Sequence, residues 1–577
     1  MRARRRFATF VACAIPLGWY SAPPAHSQGY TIEQVDVSTS GVQGFGLSGD
    51  LHVSGDGRFI AFTSVASVLV PGDSNDTNDV FVRDLVAGTT ERASLGTSGQ
   101  QIGGASEARG ISYDGRYVLF VSAAAVVPSL DPDSKLDVFV RDRLLGTTEL
   151  ISVSFDNSPS VYDCKWASIS GDGRFVAFES YDDNVVPGDV NGFGDVFLRD
   201  RWLGTTQIAS VASNGSPGDG HSYQPAISAD GMHIVFLSKA RSFYSNTDDY
   251  WHIALRDEFT GTTQAIDVDS LGQLGNENAF EHPAISPDGA SVVFTSQADN
   301  LLAGTTGVFS PKAHLWREGK PLESVCIADG RAGWGVETPS MSFGGRFVAF
   351  SGGGQWWIGG DPTPTEDIFL QDTWLDVTQQ VSSNGYANPQ NVQSEHCSMS
   401  WDGRVIAFRS YASNLVPGTT PNVNHAFVRI SEPLDSGIVY CWPAKGTDGC
   451  QPQFTLTGTS SASAASVHEL RIGQAPNDEL GLLIYSRAGP NPKLTGMGWL
   501  CLTPPLRRMP VHATGGTPPP AADCTGTFAE DFNAWIASGQ DPMLMPGSPV
   551  YVQGWVRDPS APGGSLLSDA AAFFVGP

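Results

Sequence analysis

Short apolar runs separated by polar turns recur along this chain at a fixed interval. The first run is Phe59-Ile60-Ala61-Phe62, entered through Val53-Ser54-Gly55-Asp56-Gly57-Arg58. The turn returns at Asp114-Gly115, Asp172-Gly173, Asp230-Gly231, Asp288-Gly289, Gly344-Gly345 and Asp402-Gly403, with a spacing of 58 residues except for one interval of 56. A period this regular marks a repeat architecture. Ser stands two positions before every turn (Ser54, Ser112, Ser170, Ser228, Ser286, Ser342, Ser400). Phe stands six positions after its first residue (Phe62, Phe120, Phe178, Phe236, Phe294, Phe350, Phe408). The runs are rich in Val, Ile and Ala, which favour strands, and Asp-Gly supplies the positive backbone angles of a tight hairpin. Each repeat therefore opens with two antiparallel strands, a and b.

A third run follows, Asp79 to Asp84, echoed at Asp137 to Asp142, Asp195 to Asp200 and more loosely at His252 to Asp257, Glu366 to Asp372 and Asn424 to Ile430. This is strand c, and a Gly-Thr-Thr turn leads from it into strand d, as at Thr89 to Leu95. Four short strands per repeat make one propeller blade. Residues 30 to 38 read as a strand d standing before the first a and b strands, because Thr31, Glu33 and Gly41 align with Thr89, Glu91 and Gly99 after a shift of 58. The seventh repeat leaves the pattern at Ser431-Glu432-Pro433 without a strand d. The expectation is an all-β protein whose residues 28–434 form a seven-bladed β-propeller, the amino-terminal strand completing the last blade and removing the open sheet edges.

The signature of Ile169 to Phe178, I-S-x-D-G-R-x-[VI]-A-F, resembles the WD-repeat-like propeller repeats of the TolB-like superfamily, over about 400 residues of this chain. The resemblance implies the fold and says little about activity. TolB carries an amino-terminal α/β domain that has no counterpart here, so its role in the cell envelope does not transfer. Propellers of prolyl oligopeptidases are similar too, but no G-x-S-x-G nucleophile elbow is present.

After Pro433 the period stops, and residues 435–577 read as a small β-sandwich-like domain. Strands are expected at Gln453 to Thr457, Leu480 to Tyr485, Gly498 to Leu502, Val550 to Val556 and Ala571 to Val575. A helix is expected from the capping box Thr527 and Glu530, with Phe528, Phe532, Trp535 and Ile536 on its apolar face and Gly539 ending it. Cys441, Cys450, Cys501 and Cys524 allow three pairings. Cys441 with Cys450 and Cys501 with Cys524 is preferred, because each closes a short loop. The region resembles carboxy-terminal modules attached to secreted bacterial repeat proteins, which implies location more than activity.

Arg2, Arg4, Arg5 and Arg6 precede an apolar stretch from Phe7 to Tyr20 and then Ala25-His26-Ser27, the pattern of a cleaved signal peptide over residues 1–27. A lipoprotein signal at Cys13 is disfavoured, since the apolar run continues beyond it. The protein is expected outside the cytoplasm: secreted, periplasmic or on the cell surface. No later segment reaches membrane-spanning length. Loss of four arginines takes the formal charge from −26 to −30, which disfavours nucleic acid and anionic membranes as partners. A monomer is expected.

Extra length relative to ordinary blades lies in the b-to-c and d-to-a loops, where binding sits on a rigid scaffold. Blades 4, 5 and 6 diverge most, and one of their loops carries Trp356 and Trp357, an aromatic pair suited to stacking on a sugar or a partner side chain, or to packing between blades. Three b-to-c loops repeat oxygen side chains: Asp73, Asn75 and Asp79; Asp131, Asp133 and Asp137; Asp189, Asn191 and Asp195. Alternate carboxylates suit calcium, but Asp and Asn also cap turns. At the start of strand a, six positions before each turn, stand Asp50, Ala108, Trp166, Gln224, His282, Thr338 and His396. Gln224, His282 and His396 could face one mouth of the central channel. Propeller lyases acting on uronic-acid sugars resemble this in using a channel metal held by His and Gln. Two readings follow. One is a secreted non-catalytic scaffold that binds a protein or polysaccharide through its loops and needs no cofactor, calcium aside. The other is a metal-dependent polysaccharide lyase or hydrolase, which requires His282 and His396 to converge. The repeated arginines of strand c and of the a-b turn are expected to pair with the repeated aspartates.

Overall fold

The computed structural model describes residues 30–574 apart from 125, 127–134, 157, 245–247, 281, 303–311, 326–336, 354–364, 374–376, 384–391, 432–437, 441–449, 451, 458–466, 477–478, 488–489, 496–497, 503–505, 516–523, 542–543, 545–548 and 560–564. The signal sequence, Trp356, Trp357, Asp131, Asp133 and Cys441 thus lie outside the described residues.

Seven four-stranded antiparallel sheets follow one another along the described chain. The first uses Leu47–Val53, Phe59–Ser64, Asp79–Asp84 and Thr89–Arg92 as its strands a to d. Each a strand touches those of the neighbouring blades, and that of blade 7, Ser394–Met399, touches that of blade 1, so the ring of blades closes. The first and last strands of the propeller segment meet in the closing blade: Tyr30–Gln34 pairs with His425–Ser431, Tyr30 opposite Ser431.

The hairpin chemistry explains the repeated Ser. Ser54 Oγ donates to Asp56 Oδ1 at 2.5 Å and accepts the Phe59 N–H at 2.9 Å, while Asp56 Oδ1 also takes the Arg58 N–H at 3.0 Å. The Gly is fixed twice over. Gly115 has φ +72°, and a Cβ there would lie 2.2 Å from the ring of Phe59 in the preceding blade. Turn residues of successive blades are also joined by backbone bonds, ending with Trp401 N–H to Gly55 O across the closure.

In six of the seven blades the repeated Phe of strand b meets a ring of strand c, and in blade 4 Phe236 stands opposite Ala254 instead. Phe62 and Phe81 have centroids 5.8 Å apart, Phe120 and Phe139 5.5 Å, Phe178 and Phe197 5.7 Å. Blade 5 puts His314 in that place, 5.4 Å from Phe294. A second core couple is exchanged as a unit. Buried Asp79 accepts from Ser94 Oγ, as Asp137 does from Ser152, Asp195 from Ser210 and Asp367 from Ser382. Blades 4 and 7 carry the reversed pair, His252 with Asp267 at 2.7 Å and His425 with Asp36 at 2.8 Å. The second of these ties the segment after Tyr30–Gln34 to the last propeller strand, His425–Ser431.

The turn arginines pair with aspartates as expected: Arg58 with Asp84, Arg116 with Asp142, Arg174 with Asp200 and Arg346 with Asp372, at 2.6 to 2.9 Å. The strand c arginines do not follow that expectation. Arg83 Nη1 donates to Gly88 O and Thr90 Oγ1, and Arg199 and Arg256 repeat this with Gly204 and Thr206, and Gly261 and Thr263. Adjacent residues of a strand face opposite sides. Arg83 therefore turns away from Asp84 and toward Thr90, its cross-strand partner.

Beyond Ser431 a five-stranded and a three-stranded sheet enclose a second core of Phe454, Leu470, Ile472, Leu483, Tyr485, Val550 and Val552. The five expected strands are present. Glu469–Ala475, Arg507–Ala513 and Gly526–Asp531 were not foreseen. The preferred disulfide pairing is corrected: Cys450 bonds Cys524. Gln453–Thr457 and Gly526–Asp531 both run antiparallel to Glu469–Ala475, so the residues just before them meet at one end of the sheet. The helix is also shorter than expected, Phe532–Ala537. Its N-cap is Asp531, whose carboxylate accepts from the N–H groups of Asn533 and Ala534, while Thr527 to Glu530 belong to a strand.

Candidate functional site

The channel mouth is built by irregularities at one level of the ring. Strand a slips register against strand b between Ala108 and Gly110, Tyr223 and Ala226, Glu337 and Ser340, and Glu395 and Cys397. Such bulges re-aim side chains and concentrate near functional sites. In four consecutive blades the residue at this level is left-handed: Gln224 (φ 54°), His282 (φ 65°), Thr338 (φ 43°) and His396 (φ 50°). None is glycine, and each such residue costs on the order of 1–3 kcal/mol. Pro225, Pro283 and Pro339 follow three of them, although proline pushes its predecessor toward extended backbone.

These four residues, with Asp50, Arg109 and Trp166, line a cavity of about 310 Å³. At the turn end the indole of Trp401 lies across the channel. It sits so close that a Cβ on Gly55 of blade 1 would fall 2.7 Å from it and one on Gly171 of blade 3 2.4 Å, and it packs on Tyr113 with centroids 4.8 Å apart.

At the mouth, His396 Nδ1 stands 2.6 Å from Asp50 Oδ1, a charge contact off the line of an ideal hydrogen bond. Burial would raise the Asp50 carboxyl. The His396 contact and the charges of His52, His396 and Arg109 outweigh it and hold the group well below the usual carboxylate range. Buried His52 is shifted down, first by desolvation. Arg109 lies over the Trp166 ring at 4.7 Å and donates to Lys165 O at 2.7 Å and to Glu107 Oε2 at 2.6 Å. The rings of His282 and Trp166 meet edge to face, centroids 4.7 Å apart, and the His282 backbone N–H donates to Gln224 Oε1 at 3.0 Å. Gln224 is held in turn by Glu179 Oε2, which accepts its backbone N–H at 2.9 Å. Thr338 Oγ1 is buried and accepts or donates no hydrogen bond within the described residues.

Gln224, His282 and His396 thus line one cavity, but the two histidines have different neighbours. Among the described residues no three His, Cys, Asp or Glu side chains gather as a metal cluster. In the blade 1 loop, Arg92 Nη1 lies 3.3 Å from Asp73 Oδ1 and 3.1 Å from Asp79 Oδ2, and Asn75 Nδ2 donates to Asp79 Oδ2 at 3.1 Å. In the blade 3 loop, Asn191 Nδ2 donates to Asp195 Oδ2 at 2.7 Å. Asp137 is fully buried.

Sequence reasoning missed Arg109, Trp401 and a row of rings beside Gln224. Arg109 was visible as a break in symmetry, since the other six blades have Leu51, Ala167, Pro225, Pro283, Pro339 and Cys397 there. The ring row links Tyr181 to His221 (5.5 Å), His221 to Tyr223 (5.6 Å) and Tyr223 to Trp251 (5.3 Å). Its members come from separate segments of blades 3 and 4.

No protein-family model matches the chain, and no curated protein matches it in sequence. Solved structures similar to it include an oligogalacturonate lyase from Vibrio parahaemolyticus, 12% identical, covering 69% of this chain and 93% of that one with a TM-score of 0.41. A protein assigned as TolB from Agrobacterium tumefaciens is 16% identical, covering 51% and 87%, with a TM-score of 0.30.

Proposed function

We propose that this protein is a secreted, non-catalytic scaffold that binds a polysaccharide at the mouth of its propeller channel. The observation that carries this reading is the run of four non-glycine residues held left-handed at one level of the ring, all bordering the same cavity. Backbone strain of this kind persists where the surrounding structure enforces it for a purpose. The chemistry of the lining suits a polyol. Gln224 and Thr338 can both donate and accept, Arg109 donates, Asp50 accepts, and Trp166 offers a ring. The row from Tyr181 to Trp251, whose Tyr223 precedes Gln224 in the chain, offers further rings outside the cavity, with Tyr181 46% exposed. A cavity of about 310 Å³ is at the lower end of ligand-site volumes, so only an end or a short segment of a chain would enter. The Cys450–Cys524 disulfide suits an oxidising compartment, and no helix among the described residues is long and apolar enough to cross a membrane. The lyase or hydrolase reading asks His282 and His396 to share a metal, and each would first have to leave its present neighbour.

Calorimetric titration of the mature chain with neutral and uronic-acid oligosaccharides tests the proposal. Saturable binding is expected, weakened at least about tenfold, or ~1.4 kcal/mol, by Trp166→Ala and by Gln224→Asn, which tolerates the left-handed backbone. Affinity unchanged in both variants, or no binding to any sugar of the panel, would overturn it.

A further inference from the structure

Blades 1 and 3 share one loop architecture, but blade 1 fills it with a side-chain cation and blade 3 does not. Asp73, Asn75, Asp79 and Ser94 of blade 1 correspond to Asp189, Asn191, Asp195 and Ser210 of blade 3. Their hydrogen bonds match: Asn75 reaches Asp79 and Ile102 O, and Asn191 reaches Asp195 and Gly218 O. Ser94 and Ser210 each donate to the buried Asp.

Blade 1 then supplies its own positive charge. Arg92 bridges Asp73 and Asp79, and Gln101 Nε2 donates to Asp73 Oδ1 at 2.9 Å. In blade 3 the residues at these places are Ile208 and Pro217, as the strand pairing shows, with Arg92 opposite Phe81 and Ile208 opposite Phe197. Neither can donate a side-chain hydrogen bond. Asp189 is 6% exposed, and its Oδ1 has no hydrogen-bond partner among the described residues. Two more acids crowd the place: Asp182 and Asp183 stand where blade 1 has Ala66 and Ser67, and their charges act on Asp189 as its charge acts on Asp195.

We infer that the blade 3 loop is a divalent-cation site, with Asp189 and Asp195 as its carboxylate ligands and calcium as the cation that an oxygen-only donor set prefers. The metal stands where blade 1 places a guanidinium. Two carboxylates leave several positions of a hard cation to water and backbone oxygens, which points to the weak affinities of extracellular modules, with Kd of about 10⁻⁴–10⁻³ M. This site is separate from the channel mouth and does not depend on what binds there.

Titration of the mature full chain with calcium chloride at constant ionic strength, followed by calorimetry, decides the matter. One saturable site in that range is expected. It disappears in Asp189→Asn and also in the double variant Ile208→Arg, Pro217→Gln, which rebuilds the donors of blade 1, while Asp73→Asn leaves it unchanged. The double variant keeps the test open should Asp189→Asn fail to fold. No saturable uptake by the unaltered chain, or uptake that survives both changes in blade 3, would overturn the assignment.

Discussion

Replacing His314 by Phe should remove an acid sensitivity built into blade 5. Phe81, Phe139, Phe197, Phe369 and Phe427 occupy this place in other blades, whereas His314 is fully buried there with both ring nitrogens lacking a hydrogen-bond partner. Desolvation, helped by the charge of Lys312, pushes its pKa from 6.5 down to about 4. The folded state therefore prefers the neutral ring, and the unfolded chain takes up a proton first as pH falls. This contribution is fully present above pH 6.5 and is lost toward pH 4. Linkage puts the loss at about 2 kcal/mol by pH 5 and roughly 3 kcal/mol by pH 4. Urea unfolding of both chains at pH 7.5 and pH 5 measures it. Other histidines, among them His52, His252 and His425, are common to both chains and cancel in the difference. The advantage of His314→Phe should be about 2 kcal/mol larger at pH 5 than at pH 7.5. Parallel pH dependence in the two chains would refute the reasoning.

Two further outcomes are expected. Asp36→Ala strands the buried His425 without the carboxylate it meets at 2.8 Å and should cost ~3 kcal/mol. Hydrogen exchange should then rise first in Tyr30–Gln34, and unchanged protection there would count against the closure. Reducing Cys450–Cys524, which spans 74 residues, should lower the stability of the three-stranded sheet whose outer strands it links by about 4 kcal/mol. An unaltered urea midpoint in dithiothreitol would contradict that.

The repeat was legible because its determinants are local. Ser54, Asp56 and Gly57 make their turn with one another, and strand alternation needs only neighbouring residues. Counting back six positions from each turn picked out Gln224, His282 and His396, which line one cavity in the folded ring. What those residues do there depends on contacts between blades, which no periodicity encodes. The pairing of His396 with Asp50 crosses from blade 7 to blade 1, and the packing of Trp166 on His282 links blades 3 and 5. The loop acids looked alike for the same reason. The donors Arg92 and Gln101, and the extra acids Asp182 and Asp183, separate the first loop from the third. In the second unit, short loops suggested local disulfides, but strand order in the sheet determined which cysteines met.

The shared closing blade also gives this ring a timetable. Tyr30–Gln34 is synthesised before every other described strand, and Asp36 waits for a partner 389 residues later in the chain. Contacts of such separation form late and slowly, because loop-closure entropy must be met before they contribute. Once formed, they are absent from most partly folded states, so breaking them limits how fast the native state is lost. The lifetime of the folded propeller would then be governed less by its blades than by this one ladder between Tyr30–Gln34 and blade 7.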